Sequence, residues 1–248
     1  MRVLGLVPAR SGSQRVPGKN VRELRGFPLL AYAVSVALAS KVFSNVVCST
    51  DSEEYAGIAR RFGAEVPVLR PLEFASADSP DIEWVRHSLD VQSSLGREYD
   101  AFAILRPTSP FRKPSHIRHA WQLFSSSTGI DSLRAVEECS QHPGKMWLRG
   151  SQLIHPLLPF SIEGVPWHSN QKAKLPVVYV QNAFLEISLV SSVRNLSSIS
   201  GERVLPYLIG GPEAMDLNNE NDWELAELYL STGRVTLDTP IEASARPL

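Results

Sequence analysis

The sequence predicts an α/β fold in which a mostly parallel sheet carries helices on both faces. In the first 125 residues, short apolar runs alternate with segments whose apolar residues recur at helical spacing. The apolar runs are continuous and do not alternate with polar residues, which is typical of parallel strands that are buried on both faces. With 248 residues, 43% of them hydrophobic and 21% charged, the chain is long enough for one large globular domain.

The elements of this first part follow one another in chain order. Strands are predicted at 3–7, 45–50, 65–69 and 100–107, where the letters are VLGLV, NVVCST, EVPVL and DAFAILRP. Helices are predicted at 28–41, 52–63, about 80–95 and from Ser115 onward. Gly63 is expected to end the second helix, and the hydroxyl of Ser115 is expected to cap the start of the fourth.

The pattern changes after residue 133. The segment 142–176 is rich in proline, contains scattered aromatic residues and has no sustained period, so it is too long for a plain connecting loop. We therefore expect a single domain over 1–248 with an inserted arm at about 140–178. Strands are expected to resume at 177–190 and 202–209, and a last helix is expected at 223–230. Asn221 and Glu224 have the spacing of a capping box for that helix.

Charge and cysteine content exclude several classes of partner. A net charge of −1 gives no reason to expect nucleic acid or an anionic membrane as the partner. No segment approaches the roughly 20 apolar residues of a membrane span, and the first apolar run is too short for a secretion signal. Two cysteines are too few for a disulfide framework. We therefore expect a protein of the reducing cytoplasm.

The loop PARSGSQRVPGKN (8–20) gathers positive charge directly after the first predicted strand. It contains Arg10, Arg15 and Lys19 together with two glycines and two serines. Ligands of a parallel α/β sheet bind outside the carboxyl ends of its strands, and this loop leaves such an end. Glycines, cations and exposed amides together suit an anion, with a polyphosphate as the best candidate. The spacing matches neither the P-loop nor the dinucleotide fingerprint, so a solvated surface loop stays the alternative.

The same loop resembles the opening motif of the acylneuraminate cytidylyltransferase (CMP-sialic acid synthetase) family. Five later blocks are similar to that family in the family's own order: STDSEEYAGIARRFGAEV, LRPLEFASADSP, LRPTSPFRKPSHI, LPVVYVQNAFLEI and MDLNNENDWELAE. The resemblance covers most of the chain, from Val3 to about Leu230. The loop continues GKNV, whereas the related 3-deoxy-octulosonate cytidylyltransferases typically continue GKPL.

The resemblance implies a Rossmann-like fold of the nucleotide-diphospho-sugar transferase type with a dimerisation arm. It implies an Mg²⁺-dependent enzyme that transfers CMP from CTP to the anomeric hydroxyl of a nine-carbon acid sugar, either sialic acid or a legionaminic or pseudaminic relative. Pyrophosphate is the second product. It also implies a homodimer in which each arm reaches the partner's sugar site. Two alternatives stay open: a synthetase for an eight-carbon 3-deoxy acid, and a nucleotide- or sugar-binding homologue with weak catalysis.

The resemblance also assigns roles to residues. The catalytic residues it implies are Arg10, Lys19 and Asp216. The residues it places on the nucleotide are Ser11, Gly12, Ser13, Gln14, Arg15, Asn20, Arg70, Asp78 and Ser79. Those it places on the sugar are Arg106, Gln171, Lys172, Tyr179 and Asn182. The metal ligands it implies are Asp216 and Asn218.

Several of these positions depart from the family pattern. Gln14 stands where the family usually has lysine, and Asn218 stands where relatives have aspartate, so each removes a charge. Arg106 stands where many relatives have glutamine, and a guanidinium there can hold a carboxylate through two hydrogen bonds. Asp216 and Asn218 are two residues apart, so on extended backbone they face the same side and can converge on one cation. Mg²⁺ accepts an amide oxygen, although a carboxylate binds it more strongly.

Structural alternatives accompany several of these assignments. Arg70 can form a surface ion pair with Glu73, and Asp78 can form a turn or cap before Pro80. Arg106 can belong to a structural ion pair. Asp222, a weaker candidate for the metal, can instead stabilise the start of the last helix.

Overall fold

The computed structural model describes residues 1–13 and 15–245, and its strands are short to moderate in length. In chain order the strands are β1 (Val3–Pro8), β2 (Glu23–Leu24), β3 (Phe27–Pro28), β4 (Asn45–Ser49), β5 (Ala101–Ile104), β6 (Ser132–Glu138), β7 (Trp147–Arg149), β8 (Ile154–Pro156), β9 (Ser161–Ile162), β10 (Val165–Pro166), β11 (Tyr179–Leu189) and β12 (Val204–Leu208).

Six α-helices connect or follow these strands in the described part of the chain. They are α1 (Leu29–Ser40), α2 (Glu53–Arg61), α3 (Asp81–Ser94), α4 (Pro114–Ser126), α5 (Val190–Asn195) and α6 (Glu220–Ser231). Short 3₁₀ helices are present at Leu72–Phe74, Pro143–Lys145, Trp167–Ser169, Lys172–Lys174, Gly211–Ala214 and Ala243–Ala245.

The central sheet has six strands in the order β12-β6-β11-β5-β1-β4. Strand β1 pairs in parallel with both β4 and β5, whereas β11 pairs antiparallel with β5. Side chains of β1 alternate between two hydrophobic clusters: Val3 and Val7 pack with α1, α2 and α4, while Leu4 and Leu6 pack with α3. Helices therefore cover both faces, and the predicted fold class is confirmed.

The predicted strand at 65–69 is wrong. Glu65 forms a single parallel bridge to Val47, made by the bonds from Cys48 N to Glu65 O (2.9 Å) and from Glu65 N to Val46 O (2.8 Å). Pro67 follows two residues later and has no N–H to donate, so the ladder stops after this bridge.

The predicted helix starts need two corrections. Helix α4 begins at Pro114 with Lys113 as its N-cap, so Ser115 lies within the first turn and does not cap it. Proline is well suited to the first helical position because its fixed φ is already helical and its missing N–H would be unsatisfied there anyway. Helix α6 begins three residues earlier than predicted, and Asn219 caps it in place of Asn221.

Contacts divide the chain into two compact units. One unit comprises residues 1–135 and 182–248, and the other comprises residues 136–181. The second unit contains two two-stranded ribbons, β7 with β8 and β9 with β10. Its aromatic residues contact one another, with ring centroids 5.0 Å apart for Phe160 and Trp167 and 4.7 Å apart for Trp147 and His168. Across residues 1–13 and 15–245, no helix has the length and apolarity needed to cross a bilayer.

Candidate active site at the carboxyl edge of the sheet

The loop that follows β1 is held by hydrogen bonds to the segment after β4 and by a bond between its own two ends. Ser11 donates two hydrogen bonds to the carboxylate of Asp51, which follows β4: its backbone N–H at 2.8 Å and its hydroxyl at 2.6 Å. Asn20 is buried, and its side-chain amide donates to the carbonyl oxygen of Arg10 at 3.1 Å. Gly18 has a φ of +65°, a conformation that favours glycine. The loop is therefore a defined structure at the carboxyl edge of β1 and β4.

Open space lies beside Gly12 within this loop. A Cβ atom built on Gly12 meets no atom of the described residues within 4 Å, so packing against them does not require glycine there. Arg15 is exposed, and Arg10 is partly exposed and donates to the carbonyl oxygen of Ser76. Gln14, which the sequence places in the same cradle, lies outside the described residues. The described part of the loop thus presents two cations beside a glycine with free space around it.

Lys19, Asn218 and Asp216 form a continuous hydrogen-bonded chain. The ammonium of Lys19 donates to Oδ1 of Asn218 at 3.1 Å, across 199 positions of sequence. The side-chain amide of Asn218 donates to Oδ2 of Asp216. The structure therefore brings the predicted catalytic lysine together with both predicted metal ligands.

The other carboxylate oxygen of Asp216 is unpartnered. Oδ1 of Asp216 is buried and accepts no hydrogen bond from the described residues. A buried carboxylate oxygen without a partner is costly unless a cation or a proton satisfies it. The neighbouring backbone is held firmly, because the N–H of Leu217 donates to the carbonyl oxygen of Thr108 at 2.8 Å. The arrangement suits a cation held at Oδ1 of Asp216.

Asp222 contributes to this site through the backbone. Its Oδ2 accepts the N–H of Asn218 at 2.7 Å and that of Asn219 at 3.0 Å, while Asn219 caps α6 by accepting the N–H of Asp222. Asp222, and not Glu224, therefore completes the capping box of α6. The contacts of Asp222 are therefore those of a helix-capping residue, which is the structural alternative to a metal ligand.

The electrostatics of Lys19 reflect opposing effects. Burial lowers the pKa of the Lys19 ammonium below its ordinary value, and the nearby charges of Arg15 and Arg10 lower it further. Asp216 and Asp222 act in the opposite direction but do not cancel the effect of burial. Lys19 thus lies in a cluster of three cations, where an anionic ligand would be stabilised.

Arg70 is buried and bonded to the end of β4. Its Nε donates to the hydroxyl of Ser49 at 3.0 Å, its Nη2 donates to the carbonyl oxygen of Ser49 at 2.7 Å, and its guanidinium lies 4.9 Å from the ring centroid of Trp84. Burial lowers the pKa of Arg70 to about 10. In the described residues no ion pair joins it to Glu73, so the surface-pair alternative for Arg70 is wrong.

The turn that precedes α3 holds the other two predicted nucleotide residues. The hydroxyl of Ser79 donates to the carbonyl oxygen of Glu73 at 2.6 Å and lies 2.7 Å from the hydroxyl of Ser76. Asp78 is exposed, and the cap position of α3 is Pro80, which offers no side-chain bond. Ser79 therefore shapes the turn, and the carboxylate of Asp78 faces solvent.

Arg106 belongs to a network of four charges that joins α3, the segment after β5, β6 and β11. Its Nη2 lies 2.6 Å from Asp81 and 3.0 Å from Glu186, and Glu186 also pairs with Arg134 at 3.0 Å. Burial disfavours the charge of Arg106, but Glu186 and Asp81 outweigh this and raise its pKa. The structural ion pair foreseen for Arg106 is therefore present. A role in sugar binding stays a prediction. The 27% of the side chain that is still exposed could contact a ligand.

One arginine and one acid in this region were not singled out from the sequence. Arg112 is only 1% exposed and donates to the carbonyl oxygens of Phe184 and Arg106, while its Nη1 has no hydrogen-bond partner in the described part of the chain. Burial lowers its pKa to about 9, and Asp216 is the charge that most favours its ionised form. Two features of the sequence could have indicated these residues. Arg112 is the second arginine of RPTSPFR, and Glu186 is an acid within the apolar strand NAFLEISLV.

The predicted sugar-binding residues are divided between the two units. In the larger unit, the amide of Asn182 donates to the carbonyl oxygen of Ile209 at 3.0 Å, so this side chain links β11 to the end of β12. In the smaller unit, Gln171 and Tyr179 are exposed. The ammonium of Lys172 donates to the carbonyl oxygens of Cys139 at 3.1 Å and Ser140 at 3.3 Å.

The site combines a cationic loop at the carboxyl edge of a mostly parallel sheet with an acidic residue, one oxygen of which has no partner among the described residues. This combination defines a nucleotide-transferring type of site. A family model described as cytidylyltransferase matches residues 4–133, which contain this loop and the ends of β4 and β5. The chain belongs to the cytidylyltransferase family, whose members are nucleotidyltransferases.

Two curated relatives extend the match over most of the chain. The CMP-N,N'-diacetyllegionaminic acid synthase of Legionella pneumophila is 33% identical over 242 residues, which cover 96% of this chain and 100% of the relative. The N-acylneuraminate cytidylyltransferase of Escherichia coli is 31% identical over 227 residues, which cover 91% of this chain and 51% of the relative.

A solved structure with a similar fold is that of CMP:2-keto-3-deoxy-manno-octonic acid synthetase complexed with CTP. The two structures align with a TM-score of 0.66, covering 94% of this chain and 100% of the other, at 14% sequence identity. At that identity the likeness establishes the fold alone.

Proposed function

We propose that this protein transfers CMP from CTP to the anomeric hydroxyl of a nine-carbon acid sugar and releases pyrophosphate. The observation that carries the proposal is the chain from Lys19 through Asn218 to Asp216, which joins the cationic loop to an acidic residue at one edge of the sheet. The two relatives that match most of the chain are named for CMP-legionaminic acid and N-acylneuraminate synthesis, which favours a sugar of this class.

The reaction is an in-line displacement at the α-phosphorus of CTP. The anomeric oxygen forms a bond to the α-phosphorus as it loses its proton to a base, and the bond from that phosphorus to the bridging oxygen breaks. Lys19 and Arg10 are placed to offset the negative charge that grows on the leaving pyrophosphate. Gly12 leaves room for a phosphate to approach the backbone. Positioning and charge neutralisation therefore supply the catalysis, without a covalent nucleophile.

A divalent cation, expected to be Mg²⁺, fits the residues present. Oδ1 of Asp216, which is buried and has no partner among the described residues, is the ligand that we propose for it. Among residues 1–13 and 15–245 no group of three His, Cys, Asp or Glu side chains could hold a metal, so the remaining ligands would be phosphate oxygens and water. When bound, Mg²⁺ would offset charge on the triphosphate. Asn218 was the second expected ligand, and its carbonyl oxygen accepts a bond from Lys19.

The cation proposal predicts a distinct response to Mg²⁺ in two variants. Asn218→Asp should lower the Mg²⁺ concentration that gives half-maximal turnover, because it adds a negative carboxylate beside the cation at Asp216, where the wild-type amide is neutral and bonded to Lys19. Asp216→Asn should nearly abolish turnover at millimolar Mg²⁺, with partial recovery at higher concentrations. The measurement is turnover against Mg²⁺ concentration for the wild type and both variants. One shared half-saturation point and plateau would show that this pair is not the metal site.

The sugar site and the assembly are parts of the same proposal. The family resemblance implies a sugar-binding role for Arg106 and Asn182 of the larger unit, and for Gln171, Lys172 and Tyr179 of the arm. Large apolar side chains of the arm are exposed in the single chain, which supports a homodimer formed through this segment. We also propose a cytoplasmic location, because CTP is a cytoplasmic metabolite and Cys48 and Cys139 are free thiols.

The decisive experiment is pyrophosphate release from CTP with a panel of acid sugars, with and without Mg²⁺. We expect release with sialic, legionaminic or pseudaminic acid and none with an eight-carbon 3-deoxy acid. Release with the eight-carbon acid alone would replace the proposed substrate class. Binding of CTP without release for any sugar would favour a binding protein over an enzyme.

A further inference from the structure

The amide of Asn218 lies between a cation and an anion. Its carbonyl oxygen accepts a bond from the Lys19 ammonium at 3.1 Å, and its NH₂ group donates to Oδ2 of Asp216. An ammonium can only donate and a carboxylate can only accept hydrogen bonds. The reversed amide would place NH₂ against the ammonium and oxygen against the carboxylate, so the neighbouring charges fix a single orientation.

The backbone of Asn218 is also held in place. Its N–H donates to Oδ2 of Asp222 at 2.7 Å, within the capping box of α6, and the preceding residue Leu217 donates to Thr108 at 2.8 Å. Leu217 is fully buried. The side chain of Asn218 therefore extends from an anchored segment, and it can impose a position on Lys19, which lies on the loop.

We infer that Asn218 is a positioning residue that anchors Lys19 to the cation-binding segment, and that it leaves the cation to Oδ1 of Asp216. This inference rests on the proposed function, because it concerns the same CTP site. The carbonyl oxygen of Asn218 is occupied by Lys19, whereas Oδ1 of Asp216 is the buried oxygen with no partner among the described residues. A neutral amide also links the two charged groups at a fixed spacing without adding charge beside the phosphates.

CTP affinity in the absence of metal distinguishes two roles of Asn218, metal ligation and the anchoring of Lys19, that activity alone cannot distinguish. A residue that only ligated the cation would have no effect on nucleotide binding in the absence of metal. A residue that anchors Lys19 improves that binding, since a pre-positioned lysine still has two donors available for phosphate. The hydrogen bond from the Lys19 ammonium to the amide oxygen of Asn218 should increase the affinity for CTP about three- to ten-fold.

The test is a double-mutant cycle on CTP affinity, measured by calorimetry in EDTA with wild type, Asn218→Ala, Lys19→Ala and the double variant. When Lys19 is present, we expect Asn218→Ala to weaken metal-free CTP binding about three- to ten-fold. In the Lys19→Ala background, the same substitution should have no further effect. Equal effects in both backgrounds, or none in either, would overturn the inference. Thermal unfolding of all four proteins checks that each is folded.

A second measurement needs no nucleotide and therefore distinguishes failure of this inference from failure of the proposed function. In ¹⁵N-lysine-labelled protein, the hydrogen-bonded Lys19 ammonium should give a slowly exchanging signal that is lost in Asn218→Ala. The signal should persist in Asn218→Asp, which keeps an acceptor for the ammonium. Wild-type protein with this signal but no affinity for CTP would refute the proposed substrate and leave the anchoring role standing. Identical Lys19 signals in wild type and Asn218→Ala would overturn the anchoring role.

Discussion

At the scale of single residues, Lys19 shows how burial and charge set the properties of the site. Its ammonium is partly buried beside Arg10 and Arg15, and burial is the main reason that its pKa falls below that of an ordinary lysine. Asp216 and Asp222 counter this shift only in part. A cation in such surroundings gains more from an incoming phosphate than a solvated one does, because less water must be displaced.

Lys19→Ala should therefore reduce kcat/KM by about 100-fold or more, as the loss of a charged transition-state contact typically does. The fold should persist, since the loop lies at the edge of the sheet and Lys19 belongs to none of the hydrophobic clusters. Pyrophosphate release and thermal unfolding measure the two effects separately. Unchanged pyrophosphate release by a folded Lys19→Ala variant would show that the loop does not bind the phosphates.

The lowered pKa of Lys19 also predicts a pH dependence. In the free enzyme, kcat/KM should fall on the alkaline side as Lys19 loses its proton, at a pH below the value of about 10.4 for an ordinary lysine. Lys19→Arg keeps its charge at every accessible pH, so its remaining activity should lack this alkaline decline. A decline at the same pH in both proteins would assign it to another group.

Gly12→Ala tests the open space in the loop. Residues 1–13 and 15–245 offer no atom within 4 Å of the added methyl group, so the free energy of unfolding should change by less than about 0.5 kcal/mol. If a phosphate occupies that space, the methyl group should raise the KM for CTP roughly ten-fold. Gly57 is a matched control, because a Cβ there also meets nothing within 4 Å and the residue lies on α2. Equal KM values for CTP in Gly12→Ala and Gly57→Ala would show that no phosphate of CTP binds beside Gly12.

The sequence could single out the loop as a candidate site because its cations, glycines and strand are neighbours in the chain. Arg70 shows why other assignments fail. Sequence proximity suggested Glu73 as its partner, whereas the fold brings it to Ser49 and Trp84. Arg112 and Glu186 were missed for the same reason, since their contacts join strands and loops that are more than 70 positions apart.

At the scale of secondary-structure elements, prolines and local patterns decided what the sequence could predict. The helices with clear apolar faces were found within a few residues of their observed bounds. Strand β6 was not predicted, because its letters SLRAVEE mix charged and apolar residues in place of a continuous apolar run. Within the sheet it lies between β11 and β12, and that neighbourhood cannot be inferred from its own letters.

The start of β6 is fixed by a carboxylate that holds a distant segment. Asp131 accepts the N–H groups of Glu202 at 3.0 Å and Arg203 at 2.9 Å, and its other oxygen accepts the Arg203 guanidinium at 2.9 Å. Gly201 has a φ of +65°, and a Cβ there would lie 2.4 Å from that of Asp131. These bonds, the guanidinium first, hold the pKa of Asp131 well below its ordinary value.

Asp131→Asn should therefore lower the melting temperature by a few degrees at neutral pH. A carboxylate whose pKa is lowered by folding contributes its full stabilisation above its unfolded pKa of about 3.9 and loses it as pH falls toward the folded value. The difference between wild type and variant should thus be constant from pH 7 to 5 and shrink below about pH 4. Melting temperatures of both proteins across that range are the measurement. A difference that stays constant to pH 3 would show that Asp131 acts by packing alone.

At the scale of the whole molecule, the two compact units differ in how they use apolar residues. In the larger unit, β1 is buried on both faces and large side chains such as Phe102, Phe184 and Trp84 are almost fully covered. In residues 136–181, many large apolar side chains are exposed: Met146, Trp147, Leu148, Leu153, Ile154, Leu157, Phe160, Val165, Val177, Tyr179 and Val180. Such a surface on one segment is typical of a protein–protein interface.

The occupant we propose for that surface is a second copy of the chain, and two arm variants test it. Leu148 and Ile154 lie on the β7–β8 ribbon and are 56% and 57% exposed, so burying the rest of each side chain in an interface could contribute about 1–1.7 kcal/mol. Wild type should sediment at twice the chain mass at micromolar concentration, whereas Leu148→Glu with Ile154→Glu should sediment as a monomer. Leu95→Glu, at an apolar position 51% exposed in the larger unit, is the matched control and should stay dimeric. Since the family resemblance places each arm at the partner's sugar site, the monomeric variant should lose affinity for the acid sugar while it still binds CTP. A wild-type monomer with full activity would refute the dimer, and a dimeric arm variant would move the interface to another surface.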